Sequence, residues 1–364
     1  MRIGCASADW GKDPVNNVLV PGGANWVRIQ TPLMALAAAG HEVQVGAAAA
    51  VHKVSKWLGV FDRYGNPLGD PPEVIVLQRW MHADAPQHIA NAVAAGQVVV
   101  NDIDDWFEGL DPANRAFHST HPKRNPENNR DHFRHAMAAG SLITASTEYL
   151  AARYRQRVRC PVLVLRNAIR GEDFPRQEIR DRSSELLVGW VGAVSWRSGD
   201  LETLQGVLGP WLREHGSRFV HHAANVRDPA PSWTLLGLEE DLVEGWKPMV
   251  PPQVYGRELL KGFDIGLVPL SDVPFNHAKS WIKGLEYAAA GIPFVAADTV
   301  EYRALGAGLI ARRARDWRRA LDALADPERR RSERERGLAA AAAQDITVRW
   351  VDWEKAYSDA LGRA

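Results

Sequence analysis

Cysteine is almost missing from this chain. Cys5 and Cys160 are the two among 364 residues, and their spacing fits neither a metal site nor a redox pair. Free thiols in a cytoplasmic, reducing setting are expected. Net charge is missing as well, with 44 basic and 44 acidic side chains. No overall field therefore draws the chain to nucleic acid or to an acidic membrane, and no stable nucleic-acid partner is expected. The opening MRIGCASADW has no apolar run of the signal-peptide kind, and no segment reaches the length of a membrane span. What is left is an ordinary globular composition, 46% hydrophobic and 24% charged, in a chain long enough for two domains. Tryptophan breaks the pattern: there are 14, and Trp10, Trp26, Trp106, Trp196 and Trp281 adjoin polar loops. Sugar sites use tryptophan in such places, although packing is its commoner task.

Strand-like and helix-like stretches alternate throughout, which predicts parallel α/β units. In the first half, strands are expected at 2–6, 42–46, 74–77, 98–101, 142–145 and 162–165, with helical stretches at 32–39, 88–95, 130–139 and 147–154. Pro32 either interrupts a longer helix from Asn25 or opens one capped by Thr31. Residues 171–184 are polar, lack an apolar period, and read as a linker. A second alternating series runs through 186–191, 201–213, 219–222, 233–236, 265–268, 293–296 and 309–311. The expected division is a first domain at 1–170, the linker, a second domain at 185–345, and a terminal segment at 346–364. The arginine-rich run 312–336 is interleaved with acids and has Trp317, Leu321 and Leu324 at helical spacing, so it reads as a solvated helix pair. Ligands of doubly wound sheets bind outside the carboxyl ends of the strands, and two such edges are expected to face each other across a cleft.

The segment 274–298, PFNHAKSWIKGLEYAAAGIPFVAAD, carries the most information. Trp281, Ile282, Leu285, Ala288 and Ala289 recur at helical spacing and would pack inward. Lys279, Lys283 and Glu286 would share the other face, where two lysines four apart repel by about 0.2–0.5 kcal/mol unless an anion lies between them. Asn276 is the expected N-cap, so the positive end of the helix dipole points the same way as Lys279. Gly291 ends the helix and a buried strand follows. Ser280 and Ile282 line the same start. The arrangement suits a nucleotide diphosphate and its ribose.

These residues resemble the donor-binding helix of GT-B glycosyltransferases, in particular the family 4-like group, in which a glutamate ahead of a small-residue, Gly-x-Pro-x-Val run binds the ribose. Glu286, Ala288, Gly291, Pro293 and Val295 fall on that pattern. The group often has a second acid eight residues earlier, facing the donor sugar; here that place is Ala278. The resemblance implies two Rossmann-like domains, a terminal helix returning to the first of them (Trp350, Trp353, Tyr357 and Leu361 have helical spacing), and no metal requirement. It also implies a UDP- or GDP-linked donor and a mostly retaining chemistry.

Other motifs fall into place around this one. Gly192 to Ser195, with Arg197, follow the first strand of the second domain, where the resemblance puts the donor phosphates; a plain strand-to-helix turn is the other reading. Gly22 and Gly23 follow the first strand of the first domain and would let backbone approach the donor. The loop does not match G-x-G-x-x-G, so dinucleotide binding loses ground. Asp102, Asp104 and Asp105 stand at a strand's carboxyl end. Asp104 or Asp105 would orient or deprotonate an acceptor hydroxyl, with a divalent metal site and helix capping as alternatives. Trp26, Arg28, Asp102 and His118 are assigned to the acceptor side; His118, His121, His132 and His135 otherwise lie on the surface. His221 and His222 either approach the nucleotide or pack. Asn167 matches the asparagine that ends the first domain's last strand in related enzymes.

The expected activity is that of a hexosyltransferase-like enzyme. Lys279 and Lys283 meet the leaving diphosphate, no cofactor is required, and the acceptor is a small molecule, lipid or peptide. A sugar-nucleotide epimerase of the same fold and a non-catalytic sugar-nucleotide binder are the alternatives.

Overall fold

The computed structural model describes residues 1–12, 18–45, 71–120, 129–196, 199–225 and 231–363. The valine- and isoleucine-rich segments become parallel strands, the inner ones buried on both faces and those at the sheet's edges only partly so, which is why the inner ones run apolar rather than alternating with polar residues. In the first half these are β1 (Arg2–Ser7), β4 (Glu42–Val45), β5 (Val74–Gln78), β6 (Val98–Ile103), β7 (Leu142–Ala145) and β8 (Val162–Val164); a small antiparallel hairpin, β2 (Trp10–Lys12) with β3 (Leu19–Pro21), interrupts them. They form one parallel sheet in the order β4-β1-β5-β6-β7-β8. Successive residues point to opposite faces. Val74 and Val76 join Ile3, Leu33 and Trp353 on one side, while Ile75 and Leu77 join Trp80 and Ile89 on the other.

The second half repeats the plan. Strands β9 (Leu187–Val191), β10 (Arg218–Ala224), β11 (Val243–Pro248), β12 (Ile265–Val268), β13 (Phe294–Ala297) and β14 (Leu309–Ala311) are parallel in the order β11-β10-β9-β12-β13-β14. The edge strand β11 escapes a reading by hydrophobicity, because its sequence VEGWKP is mostly exposed. The segment 201–213 breaks into a 3-10 turn, Leu201–Leu204, and a helix, Leu208–Glu214, with Gly206 at φ +71° between them. The arginine-rich run forms the helices Ala314–Ala325 and Pro327–Ala343, with Trp317, Leu321 and Leu324 buried as their spacing requires.

The chain divides into two units, residues 1–110, 116–168 and 346–364 in one, and 111–115 and 169–345 in the other. The terminal helix Ile346–Leu361 therefore packs on the first unit, where it buries Trp353 and Tyr357. Residues 171–184, expected as a linker, run along the second unit and bond to it. Gln177 N–H donates to Ala290 O at 2.8 Å. Arg330, fully buried, donates to Leu324 O, Ala325 O and Arg180 O at 2.6, 2.8 and 2.9 Å. Among the described residues no helix is long and apolar enough to cross a membrane.

One helical stretch, residues 23–38, resolves the question at Pro32. It continues through the proline by way of a π-turn, Trp26–Gln30, in which Thr31 N–H reaches Trp26 O. The π-turn holds Arg28 in the interior, at 1% exposure. Arg28 forks onto Asp102 of β6, Nε to Oδ1 at 3.0 Å and Nη2 to Oδ2 at 2.6 Å. Its Nη1 bonds Asn167 Oδ1 at 3.0 Å and Leu165 O, both just beyond β8. Thr144 of β7 donates to Asp102 Oδ2 at 2.7 Å, and the guanidinium carbon lies 5.9 Å from the Trp353 ring centre. Removing one partner of a buried pair strands the other charge at a cost of about 3–5 kcal/mol. Asp102→Ala is therefore expected to lower stability by that amount, read as an earlier urea transition of the first unit. A loss within about 0.5 kcal/mol, the usual scale for a surface change, would contradict this reading.

Candidate functional site

Each sheet has one point where the strand order reverses. In the second unit the chain leaves β9 for β10 on one side and later enters β12 on the other, so the connections after β9 and β12 diverge at the carboxyl edge. Such a divergence opens the crevice in which doubly wound sheets hold ligands. The loop after β9 begins at Gly192 and turns through the 3-10 segment Val194–Trp196, with Ser195 half-buried. Arg197 lies outside the described residues. Asp200, 1% exposed, ties this loop to the one after β12. Its Oδ1 accepts from Ser271 N–H at 2.9 Å, Ser271 Oγ at 3.0 Å and Asn276 Nδ2 at 2.7 Å.

That last bond changes the expected shape of the 274–298 segment. Asn276 is not the cap of the donor helix. Its amide is drawn to Asp200 within a separate short turn, Pro274–His277, and the chain breaks before the helix Ile282–Ala289 begins. Lys279 consequently lies in the connecting loop, its Nζ 4.2 Å from the Phe275 ring centre, rather than on a helix face shared with Lys283. Ser280 Oγ accepts from Ile282 N–H at 3.4 Å. The C-terminal end follows the expectation: Gly291 adopts φ +70°, Gly291 N–H bonds Ala288 O and Ile292 N–H bonds Tyr287 O, the paired bonds of a Schellman turn.

Within the helix, Lys283 and Glu286 do meet, and Tyr255 from the helix Pro252–Leu259 joins them. Tyr255 hydroxyl donates to Glu286 Oε2 at 3.0 Å, and Lys283 Nζ donates to the tyrosine oxygen at 2.7 Å and to Glu286 Oε2 at 3.1 Å. Glu286 is 8% exposed. Nothing near Tyr255 in sequence marks a site; only the packing of two helices distant in sequence brings it in.

The first unit reverses order between β1 and β5. Asp9 follows β1, Arg79 follows β5, and Asp104 and Asp105 follow β6, so all four stand at the same carboxyl edge. Arg79 Nη2 lies 3.0 Å from Asp104 Oδ2 and 2.8 Å from Asp105 Oδ2, and its Nη1 lies 3.7 Å from Asp9 Oδ1. Burial alone would lower the arginine's pKa, but Asp104, Asp9 and Asp105 together raise it. Arg79 also holds φ +58°, an unusual backbone for a residue with a Cβ and one that concentrates at working sites. Its position two residues after the strand expected at 74–77 is the signal that the sequence carries for it. Asp104 is pushed up to about 6: burial raises it, Arg79 pulls it down, and Asp105, Asp102 and Asp9 raise it again.

Asp9 also explains the paired glycines. Gly22 N–H bonds Asp9 O at 2.9 Å, and the carboxylate accepts from Asn25 N–H at 2.9 Å, at the start of the helical stretch. A Cβ on Gly22 would stand 2.3 Å from Asp9 Oδ1, so only glycine admits the acid there. Gly23 is exposed and Trp26 half-buried. Arg28 and Asp102, assigned to the acceptor side by position, are buried and spend their charges on one another. His118 is exposed on the helix Arg115–Thr120, its ring edge against Phe117. Trp106 is half-buried. Arg153 covers one region of its ring at 4.4 Å, and a Cβ on Gly109 would lie 2.2 Å from another.

No family model matches the chain, and no curated protein matches it. Solved structures do. Sucrose-phosphate synthase from Thermosynechococcus elongatus is 13% identical over 100% of both chains, with a TM-score of 0.70. HepE from Anabaena, solved in complex with UDP and glucose, is 15% identical over 99% of this chain and 100% of its own, with a TM-score of 0.62. AviGT4, a glycosyltransferase involved in avilamycin A biosynthesis, is 14% identical over 100% of this chain and 99% of its own, also at 0.62. The chain has the GT-B fold over its whole length.

The raised Asp104 has a consequence for stability. The folded chain keeps a proton that the unfolded chain, with its ordinary aspartate value of about 3.9, has released, so stability falls as pH rises from roughly 4 to 6. Asp104→Asn should remove that fall. The stability difference between variant and parent is expected to change across this window and to level off above pH 7. A difference that stays flat from pH 4 to 7 would show that Asp104 titrates normally.

Proposed function

We propose that the chain is a hexosyltransferase-like glycosyltransferase that moves a sugar, with retention and without a metal, from a UDP- or GDP-linked donor to a hydroxyl on a small-molecule, lipid or peptide acceptor. The observation that carries this reading is the Lys283–Tyr255–Glu286 cluster on the helix that follows the second unit's switch point. A carboxylate with both neighbours bonded to one oxygen is oriented in advance, and a diol such as ribose is the natural partner for such an acceptor group. In the transfer, the bond from the sugar's anomeric carbon to the diphosphate breaks and a bond to the acceptor oxygen forms. Negative charge grows on the leaving diphosphate. Lys283, Lys279 and the N–H groups opening the helix Ile282–Ala289 meet it. The acceptor's proton passes to a carboxylate, and Asp104, lifted to about 6, is tuned for that task. Asp105 shares Arg79 with it and helps to orient the acceptor. Retention and family 4-like chemistry rest on the resemblance of the 274–298 segment.

The same charges support metal independence. The acids that could hold a cation are already matched to guanidinium groups, Asp102 to Arg28, and Asp104 and Asp105 to Arg79. Turnover should survive excess EDTA; complete loss, restored by Mn²⁺, would reassign the three acids to a metal site.

Calorimetry with UDP and GDP tests the donor side. Glu286→Ala loses charge-assisted hydrogen bonds worth about 1.5–3 kcal/mol each, so the nucleotide Kd should rise at least about tenfold. Unchanged affinity would mean the helix does not bind the donor. Incubating candidate nucleotide sugars with and without acceptor separates transfer, which needs the acceptor, from epimerisation, which does not, and from binding without turnover.

A further inference from the structure

Two adjacent histidines near the end of β10 have no part in the chemistry above. His221 and His222 are buried, at 2% and 3% exposure. As neighbours on a strand they leave it on opposite faces. His221 lies against Trp190 with ring centres 4.8 Å apart, and His222 against Phe263 at 4.9 Å. Each ring reaches a backbone carbonyl: His221 Nε2 stands 2.7 Å from Gly192 O, and His222 Nδ1 stands 2.5 Å from Leu259 O. A carbonyl only accepts, so His221 carries its proton on Nε2 and His222 on Nδ1. The main chain adds a third tie, from Gly192 N–H to His222 O at 3.0 Å. Gly192 is thus held at both its N–H and its C=O by the same dipeptide.

The two carbonyls belong to the two elements that frame the donor residues. Gly192 opens the loop after β9, at the switch point. Leu259 ends the helix Pro252–Leu259, one turn beyond Tyr255, whose hydroxyl bonds Glu286. The strand end braces the loop on one face and the helix on the other. The backbone around the pair is also unusual. Ala223 holds φ +62°, and the register with β11 shifts between His222 and Ala224. Strain of this kind persists where the surroundings over-determine it, and it concentrates at functional sites.

We propose that His221 and His222 are positioning residues for the nucleoside diphosphate, His221 setting the Gly192 loop and His222 setting the Tyr255 helix against Glu286. The assignment rests on the donor-site reading given above. Glutamine can place an amide N–H near the position of Nε2–H, and asparagine near that of Nδ1–H, whereas leucine fills the space and donates nothing. Two measurements decide: calorimetric Kd for UDP and GDP, and amide hydrogen exchange over residues 192–196 and 252–259. Losing one hydrogen bond predicts a Kd about tenfold higher in His221→Leu and in His222→Leu. Exchange should quicken in 192–196 for the first and in 252–259 for the second, with His221→Gln and His222→Asn restoring both readouts. Leucine variants with parental exchange and parental Kd would overturn the assignment, as would glutamine and asparagine variants no better than leucine. A parent chain that binds neither UDP nor GDP would instead sink the donor reading. Unchanged exchange in a chain that does bind nucleotide sinks the histidine assignment alone.

Discussion

In each sheet one pair of neighbouring parallel strands sends its following connections in opposite directions, and the polar chemistry of the chain gathers there. Between β1 and β5 the divergence exposes the ends of the central strands, which end in or beside charged residues: Asp9, Arg79, Asp104 and Asp105. Between β9 and β12 it separates the Gly192 loop from the loop holding Ser271, Asn276 and Lys279. Parallel strands bury their lengths on both faces, so only their ends can carry polar groups without a desolvation penalty. The placement of charge therefore follows from the topology before any particular ligand is considered.

Those charges are not left alone. Arg28 forks onto Asp102 in the interior, Arg79 answers Asp104 and Asp105 at the edge, and Lys283 meets Glu286 on the helix Ile282–Ala289. Among the described residues these charges are matched in space, some by partners far apart in sequence, as Arg28 with Asp102, and some by near neighbours, as Lys283 with Glu286. The Arg28–Asp102 pair does the most mechanical work, since its bonds reach the π-turn, β6, β7, the end of β8 and the terminal helix. A buried pair of this kind is weak evidence for extra stability; what it fixes is which elements must lie together. Asp104 then stands two residues beyond a rigidly held Asp102.

The helix Ile282–Ala289 shows a similar economy. Glu286 is oriented by Tyr255 and Lys283 before any ligand arrives, and the proposed ribose contact would add to or replace bonds already in place. Preorganisation of this sort reduces the ordering cost of binding. Asp200 does the equivalent for the loops, joining Ser271 and Asn276 to the end of the loop after β9.

Much of this was written locally. Apolar runs at 74–77, 98–101 and 265–268 gave the buried strands, Gly291 gave the helix end, and the Glu286 to Val295 pattern gave the GT-B resemblance, because strand burial, αL turns and helical periodicity are properties of neighbouring residues. The exposed edge strand β11 lacked that apolar signal. What no local pattern could supply was the pairing across long separations. The sequence read Asn276 as a cap; a buried Asp200, 76 positions away, made it a bridge. It placed Arg28 and Asp102 at the surface of a site, while the sheet brought them together inside across 74 positions. Tyr255 entered only through packing. By itself the sequence determined most of the buried strands, their alternation with helices and the GT-B resemblance. Tertiary structure alone decided which distant charges neutralise one another, because an ion pair across many positions depends on distance in space and carries no periodicity along the chain.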